Sequence, residues 1–155
     1  MLSKSERRFH RRTAVRCFNE TWDCLEKKER TEQDDQAMLQ LAHASKYHWG
    51  LVGTPRNKAV GDWQISRVYA ALKQPYLSLL FARSSLKTCE REKLSEVLVT
   101  AYEAVARAYA VAGDHASASK YLKLARNQLE TLDLSAEDRK VYLGQIDETE
   151  KLIAR

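Results

Sequence analysis

Between Tyr102 and Ala125, apolar residues recur every three or four positions, stop at a glycine, and resume at the same spacing. Tyr102, Val105, Ala106 and Tyr109 form the first stripe, Gly113-Asp114 interrupts it, and Ala118, Leu122 and Ala125 form the second. A helical period on both sides of Gly-Asp predicts two helices folded back on one another, since glycine ends a helix without strain and aspartate caps the next. Alanines within the stripes place short side chains where two backbones approach closely. The chain has only 5 Gly and 2 Pro in 155 residues. So few breakers exclude a many-turned β fold and predict long helices with short connections throughout.

Seven helices follow from the start and stop signals. The first is expected over about Ser5 to Lys28, with Phe9, Val15, Phe18, Trp22 and Leu25 as its apolar stripe. Thr31-x-x-Asp34 opens the second as a near-capping box, and Gly53 stops it after Val52. Thr54-Pro55 starts the third and Pro75 the fourth. The charged Glu90–Lys93 segment is either a turn or a continuation of the fourth helix. The fifth covers about Leu94–Ala112, Asp114 caps a sixth that reaches about Thr131, and Ser135-x-x-Asp138 caps a seventh.

The hairpin pattern repeats. Forty residues before Ala118/Leu122/Ala125 stand Ser78/Ala82/Ser85, and another 41 earlier stand Ala37/Leu41/Ala44. In the preceding helices, Tyr102/Val105/Ala106/Tyr109 aligns with Asp62/Ile65/Ser66/Tyr69 and, allowing three extra turn residues, with Phe18/Thr21/Trp22/Leu25. The Tyr102–Ala125 stretch resembles one tetratricopeptide repeat (TPR) unit in order and spacing. The specific match covers those 24 residues, and the looser pattern covers nearly the whole chain. The second unit departs from the TPR pattern by lacking the Gly turn and by placing Asp62 where an aromatic is expected. The period near 40 also exceeds the usual ~34. The resemblance implies an all-α, TPR-like α-solenoid of about seven antiparallel helices, wound as a right-handed superhelix: three helix pairs plus a C-terminal capping helix. Residues 1–155 then form a single domain.

In TPR-like folds the first helix of each pair lines a concave surface. Carried over by spacing, this implies a peptide-binding groove with Trp63 and Arg67 from the second unit, Glu103 and Arg107 from the third, and Arg16, Asn19 and Asp23 from the first. Guanidinium groups forty residues apart, beside an indole, suit a carboxylate, because arginine offers a planar fork of donors. Trp63 would be the apolar anchor. The implied function is a non-catalytic protein- or peptide-binding scaffold or adaptor whose partner is acidic.

Two further clusters stand out. His43, Tyr47, His48 and Trp49 gather at a helix end before Arg56, a composition suited to a small-ligand pocket. His43 and Tyr47 share a face and His48 points elsewhere, so metal-ligand spacing is absent. Residues 1–16, the basic N-terminal segment of the first helix, hold Lys4, Arg7, Arg8, Arg11, Arg12 and Arg16 against Glu6 alone, which accounts for the entire formal charge of +5. The Lys4–Arg16 face is a candidate contact for nucleic-acid phosphates.

No nucleotide loop, nucleophile elbow or kinase signature occurs, so the sequence carries no sign of an enzyme, and none of a metal or cofactor. Cys17, Cys24 and Cys89 form no disulfide framework and suit reduced thiols. Without an apolar run after the basic N-terminus or a span of ~20 apolar residues, a cytoplasmic location away from membranes is expected. Phe9, Phe18 and Leu152 on the terminal helices are candidates for a homodimer contact.

Overall fold

Short polar side chains start most of the helices. Ser3 Oγ accepts from Glu6 N–H at 3.2 Å while Glu6 reaches back to Ser3 N–H at 2.7 Å. The same reciprocal box joins Thr31 and Asp34. Asn57 accepts from Thr54 N–H just before Pro55, and Asp114 and Ser135 accept from the N–H groups of Ser117 and Asp138. Each cap satisfies a helix-terminal donor that would otherwise lack a partner.

The computed structural model describes residues 1–155 as seven helices with no strand. They are α1 (Lys4–Leu25), α2 (Glu32–Val52), α3 (Pro55–Ala71), α4 (Pro75–Glu92), α5 (Ser95–Ala112), α6 (His115–Glu130) and α7 (Ala136–Ile153). The fold is therefore all-α, and none of these helices is long and apolar enough to cross a membrane. The Glu90–Lys93 segment remains helical to Glu92, and Lys93 then turns the chain in the left-handed conformation.

Contacts follow a simple order. Helices α1 and α2, α3 and α4, and α5 and α6 pack as hairpins, and each even helix also packs on the next odd one. The odd helices touch successively, α1 to α3, α3 to α5 and α5 to α7, whereas the even helices do not touch one another.

Small side chains set the close approaches. Ala118, Leu122 and Ala125 are buried, as are Ser78, Ala82 and Ser85 forty residues earlier. In α2 the matching buried positions are Met38, Ala42 and Ser45. The expected Ala37/Leu41/Ala44 register is thus shifted by one residue, and those three are only partly covered. The polar members are satisfied across each hairpin. Ser45 Oγ donates to Ala14 O and Ser85 Oγ to Ala59 O, and Ser66 and Ser78 exchange hydroxyl-to-carbonyl bonds of 2.8 and 2.9 Å. A serine in such a position packs like alanine only because its hydroxyl finds a carbonyl.

The turn after α3 repeats the turn after α5 without its glycine. Gly113 (φ 82°) donates to Ala110 O and Asp114 to Tyr109 O; Lys73 (φ 55°) donates to Ala70 O and Gln74 to Tyr69 O. Lys73 therefore carries the left-handed strain that glycine avoids forty residues later.

Candidate functional site

The shared Ser-to-carbonyl bonds fix how α1 and α3 correspond: Ala14 matches Ala59, so Trp22 takes the place of Arg67, and the forty-residue spacing adds Arg107. These three side chains lie on the same groove. It has a volume of about 610 Å³ and runs along the odd helices only. Helix α1 contributes Trp22 and Leu25, with Glu26 just past its end; α3 contributes Arg67, Ala70 and Ala71, with Lys73 past its end; α5 contributes Arg107 and Val111; α7 contributes Glu148 and Leu152. A groove of this size, apolar with a few convergent charges, has the dimensions and lining of a ligand site.

The charged centre is compact. Arg107 Nε donates to Glu103 Oε1 at 2.8 Å, and Thr149 Oγ1 donates to the same oxygen at 2.5 Å. Glu103 is 1% exposed, and its Oε2 has no partner. Glu148 Oε2 accepts from Arg67 Nη2 at 3.1 Å and from Arg107 Nη2 at 3.2 Å. Arg67 lies over the ring of Trp22 at 5.1 Å and that of Trp63 at 6.0 Å, and its Nη1 is buried without a partner. Stacking on an indole favours a guanidinium by about 0.5–2 kcal/mol.

The two arginines titrate in opposite directions. Burial, and then the charge of Arg107, hold Arg67 below the usual arginine value. Burial also opposes the charge on Arg107, but Glu103 and Glu148 outweigh it and raise the value. Glu148 is opposed by burial too, yet its pairing with Arg67 and Arg107 lowers it. Arg67 is thus the cation with the weaker compensation.

The sequence-derived site residues divide. Arg67 and Arg107 come together as expected. Trp63 is buried one turn earlier against Ala82, Ala104 and Val105, with the Trp22 ring at 5.4 Å. The indole on the groove is therefore that of Trp22, and Trp63 supports it from beneath. Glu103 lies in the same buried layer and braces Arg107. Arg16 and Asn19 lie elsewhere, exposed on a shallow flank of α1 beside Arg8, Arg11 and Arg12, and Asp23 is exposed. Spacing alone missed Glu148. Its signal was a place 41 residues after Arg107, which continues the row of odd-helix positions.

The residues around His43 do not form one pocket. His43 packs on Tyr69 and Phe81, with Nε2 3.2 Å from the Tyr69 hydroxyl. His48 faces α1, its Nδ1 2.7 Å from His10 Nδ1. Tyr47 is exposed, Trp49 borders a separate small cavity of about 140 Å³, and Arg56 approaches Glu96 at 3.9 Å. No three of the chain's His, Cys, Asp and Glu side chains converge as a metal site would require.

These histidines make a pH prediction. Burial foremost, aided by Lys46, lowers His43, with Asp62 opposing; burial foremost, aided by His10, lowers His48. Each binds its proton more readily when unfolded, so stability is complete above the ordinary value of ~6.5 and declines as pH falls below it. The melting temperature should drop between pH 7.5 and 5.5, above the range where the carboxylates titrate. In His48→Gln, scanning calorimetry should find part of that slope removed.

No family model, curated protein or solved structure matches this chain.

Proposed function

We propose that this chain is a TPR-like α-solenoid that acts as a non-catalytic, cytoplasmic adaptor, binding a protein or peptide segment along the groove of its odd helices. The observation that carries it is the row of equivalent positions, Trp22, Arg67, Arg107 and Glu148, one from each odd helix and all on one concavity. The helix contacts support the solenoid: odd helices touch odd helices, even ones do not, and each hairpin covers the apolar face of the last. Charge supports an acidic partner, because Arg67 retains an unpartnered donor beside an apolar wall.

The test begins with capture from native lysate and titration of the recovered partner. Arg67→Gln leaves Arg107 in place to hold Glu103 and should weaken binding at least about tenfold, the scale of one charge-assisted hydrogen bond. Unchanged affinity in Arg67→Gln and in Trp22→Leu would reject the groove.

Helix α1 favours a second activity on a separate surface. Lys4, Arg7, Arg8, Arg11 and Arg12 form no ion pair, and Arg16 only approaches Glu20 at 3.8 Å. A free basic face on an otherwise neutral chain suits nucleic-acid phosphates. Affinity for duplex or single-stranded probes should then fall steeply as salt rises from 50 to 200 mM, about a decade or more for several phosphate contacts. An absence of binding at the lower salt rejects this activity.

A further inference from the structure

We propose that Glu148 is a competitor built into the groove: its carboxylate occupies the seat on Arg67 and Arg107 that a carboxylate of the bound segment takes, and the ligand enters by displacing this one side chain. This rests on the groove function above and adds how the groove is regulated.

The two carboxylates at the site are held very differently. Glu103 is fixed, being 1% exposed and bonded to Arg107 and Thr149. The Glu148 side chain is 58% exposed, and its ion pairs are with Arg67 and Arg107 alone. Helix α7 does not depend on Glu148 for its position, because Ile146 and Thr149 are buried on either side of it. Glu148 can therefore swing into water without unpacking the helix.

The seat it leaves has a definite chemistry. Two Nη2 groups converge on one carboxylate oxygen, and Arg67 Nη1 adds a buried donor without a partner. With Glu148 away, two guanidinium charges face the single buried carboxylate of Glu103. Replacing one carboxylate by another leaves the charge balance intact, so the exchange strands no guanidinium. Net affinity then rests on how well the incoming carboxylate sits between the two arginines and on the apolar residues that line the groove beside them, Trp22, Val111 and Leu152. A tethered carboxylate competes at high effective concentration, which holds binding weak until it is removed.

Two measurements test this. The first is rescue of the empty seat. In Glu148→Ala, sodium acetate should raise the melting temperature more than sodium chloride of equal ionic strength, whereas wild-type protein and Arg67→Gln/Glu148→Ala should respond alike to both salts. Equal effects of the two salts on Glu148→Ala would overturn the proposal. The second uses dansyl-labelled hexapeptide pools, randomised without Asp or Glu at the other positions: one carries a Glu and an amidated end, one a Gln and a free C-terminal carboxylate, and one a Gln and an amidated end. Glu148→Gln should bind at least one carboxylate-bearing pool about tenfold more tightly than wild type, and which of the two improves identifies side chain or chain terminus as the source. The pool without a carboxylate should not improve. Binding indifferent to both Glu148 and the carboxylate overturns the competitor and leaves the groove function standing. Failure of all pools to bind either protein overturns both.

Discussion

Glu103→Ala should destabilise the protein by about 3–5 kcal/mol, the usual cost of removing one partner from a buried ion pair. The carboxylate is almost fully buried and accepts from Arg107 and Thr149. Without it, Arg107 and Arg67, whose side chains are 12% and 13% exposed, would share only the half-exposed Glu148. Thr149, 0% exposed, would lose its acceptor in the same step. In a domain of this size the loss corresponds to roughly 10 °C in melting temperature. Glu103→Gln keeps a carbonyl for both donors and should lose less. Urea unfolding of Glu103→Ala, Arg107→Ala and the double variant supplies the check. The double variant should cost less than the two singles together, because the second substitution removes a charge that the first left stranded. Strict additivity would mean that the pair is not coupled. Amide exchange should quicken in α7, which Thr149 ties to α5.

Most of the fold was legible because its instructions are local. Caps at Thr31, Thr54, Asp114 and Ser135 act within four residues of sequence, so they mark helix starts whatever the rest of the chain does. Ser3-x-x-Glu6 is a full capping box of the same local kind. The small-residue stripe of α2 lies one position later than its spacing alone suggests. Ala37/Leu41/Ala44 and Met38/Ala42/Ser45 both satisfy the spacing, and only contact with α1 and α3 selects the second. The left-handed turn at Lys73 gave no signal, because lysine is not a residue that marks positive φ. Its neighbours Tyr69 and Ala70 repeat Tyr109 and Ala110 and could have revealed it.

The site was half legible for a related reason. Arg67 and Arg107 lie forty residues apart on the first helices of successive hairpins, so sequence spacing alone brings them together. Trp22 is separated from Arg67 by a longer connection, Glu26–Thr31, and the count of extra residues there decides which α1 side chain reaches the groove. An error of one residue puts Phe18 opposite Asp62 rather than Trp63, and hides Trp22. Glu148 depends on how α7 docks, which is set by Ile146 and Thr149 meeting a core assembled from α5 and α6. Such information is spread over distant parts of the chain.

Asp62 shows how the helix hairpins accommodate a buried charge where the spacing expects an aromatic. It stands forty residues before Tyr102 on the first helix of the preceding hairpin, and it is 0% exposed. Lys46 of α2 pairs with its Oδ1, Ser84 of α4 donates to its Oδ2 at 2.6 Å, and Lys58 lies 3.8 Å away. One carboxylate therefore links α2, α3 and α4, in place of the apolar contact that an aromatic would make. Asp62→Ala should cost about 3 kcal/mol, near the lower end for a broken buried pair. Lys46 is 32% exposed, so its ammonium can reach water once the partner is gone, although its contact with the Phe81 ring at 4.9 Å would be disturbed. Replacing both partners changes the expectation. Lys46→Met/Asp62→Leu should recover most of the loss, since an apolar pair of similar volume avoids desolvating two charges and often matches or exceeds the ion pair it replaces. Denaturant midpoints for the two single variants and the double separate the alternatives. A double variant as unstable as Asp62→Ala would assign the role of Asp62 to its bond with Ser84, and Ser84→Ala would then reproduce the loss.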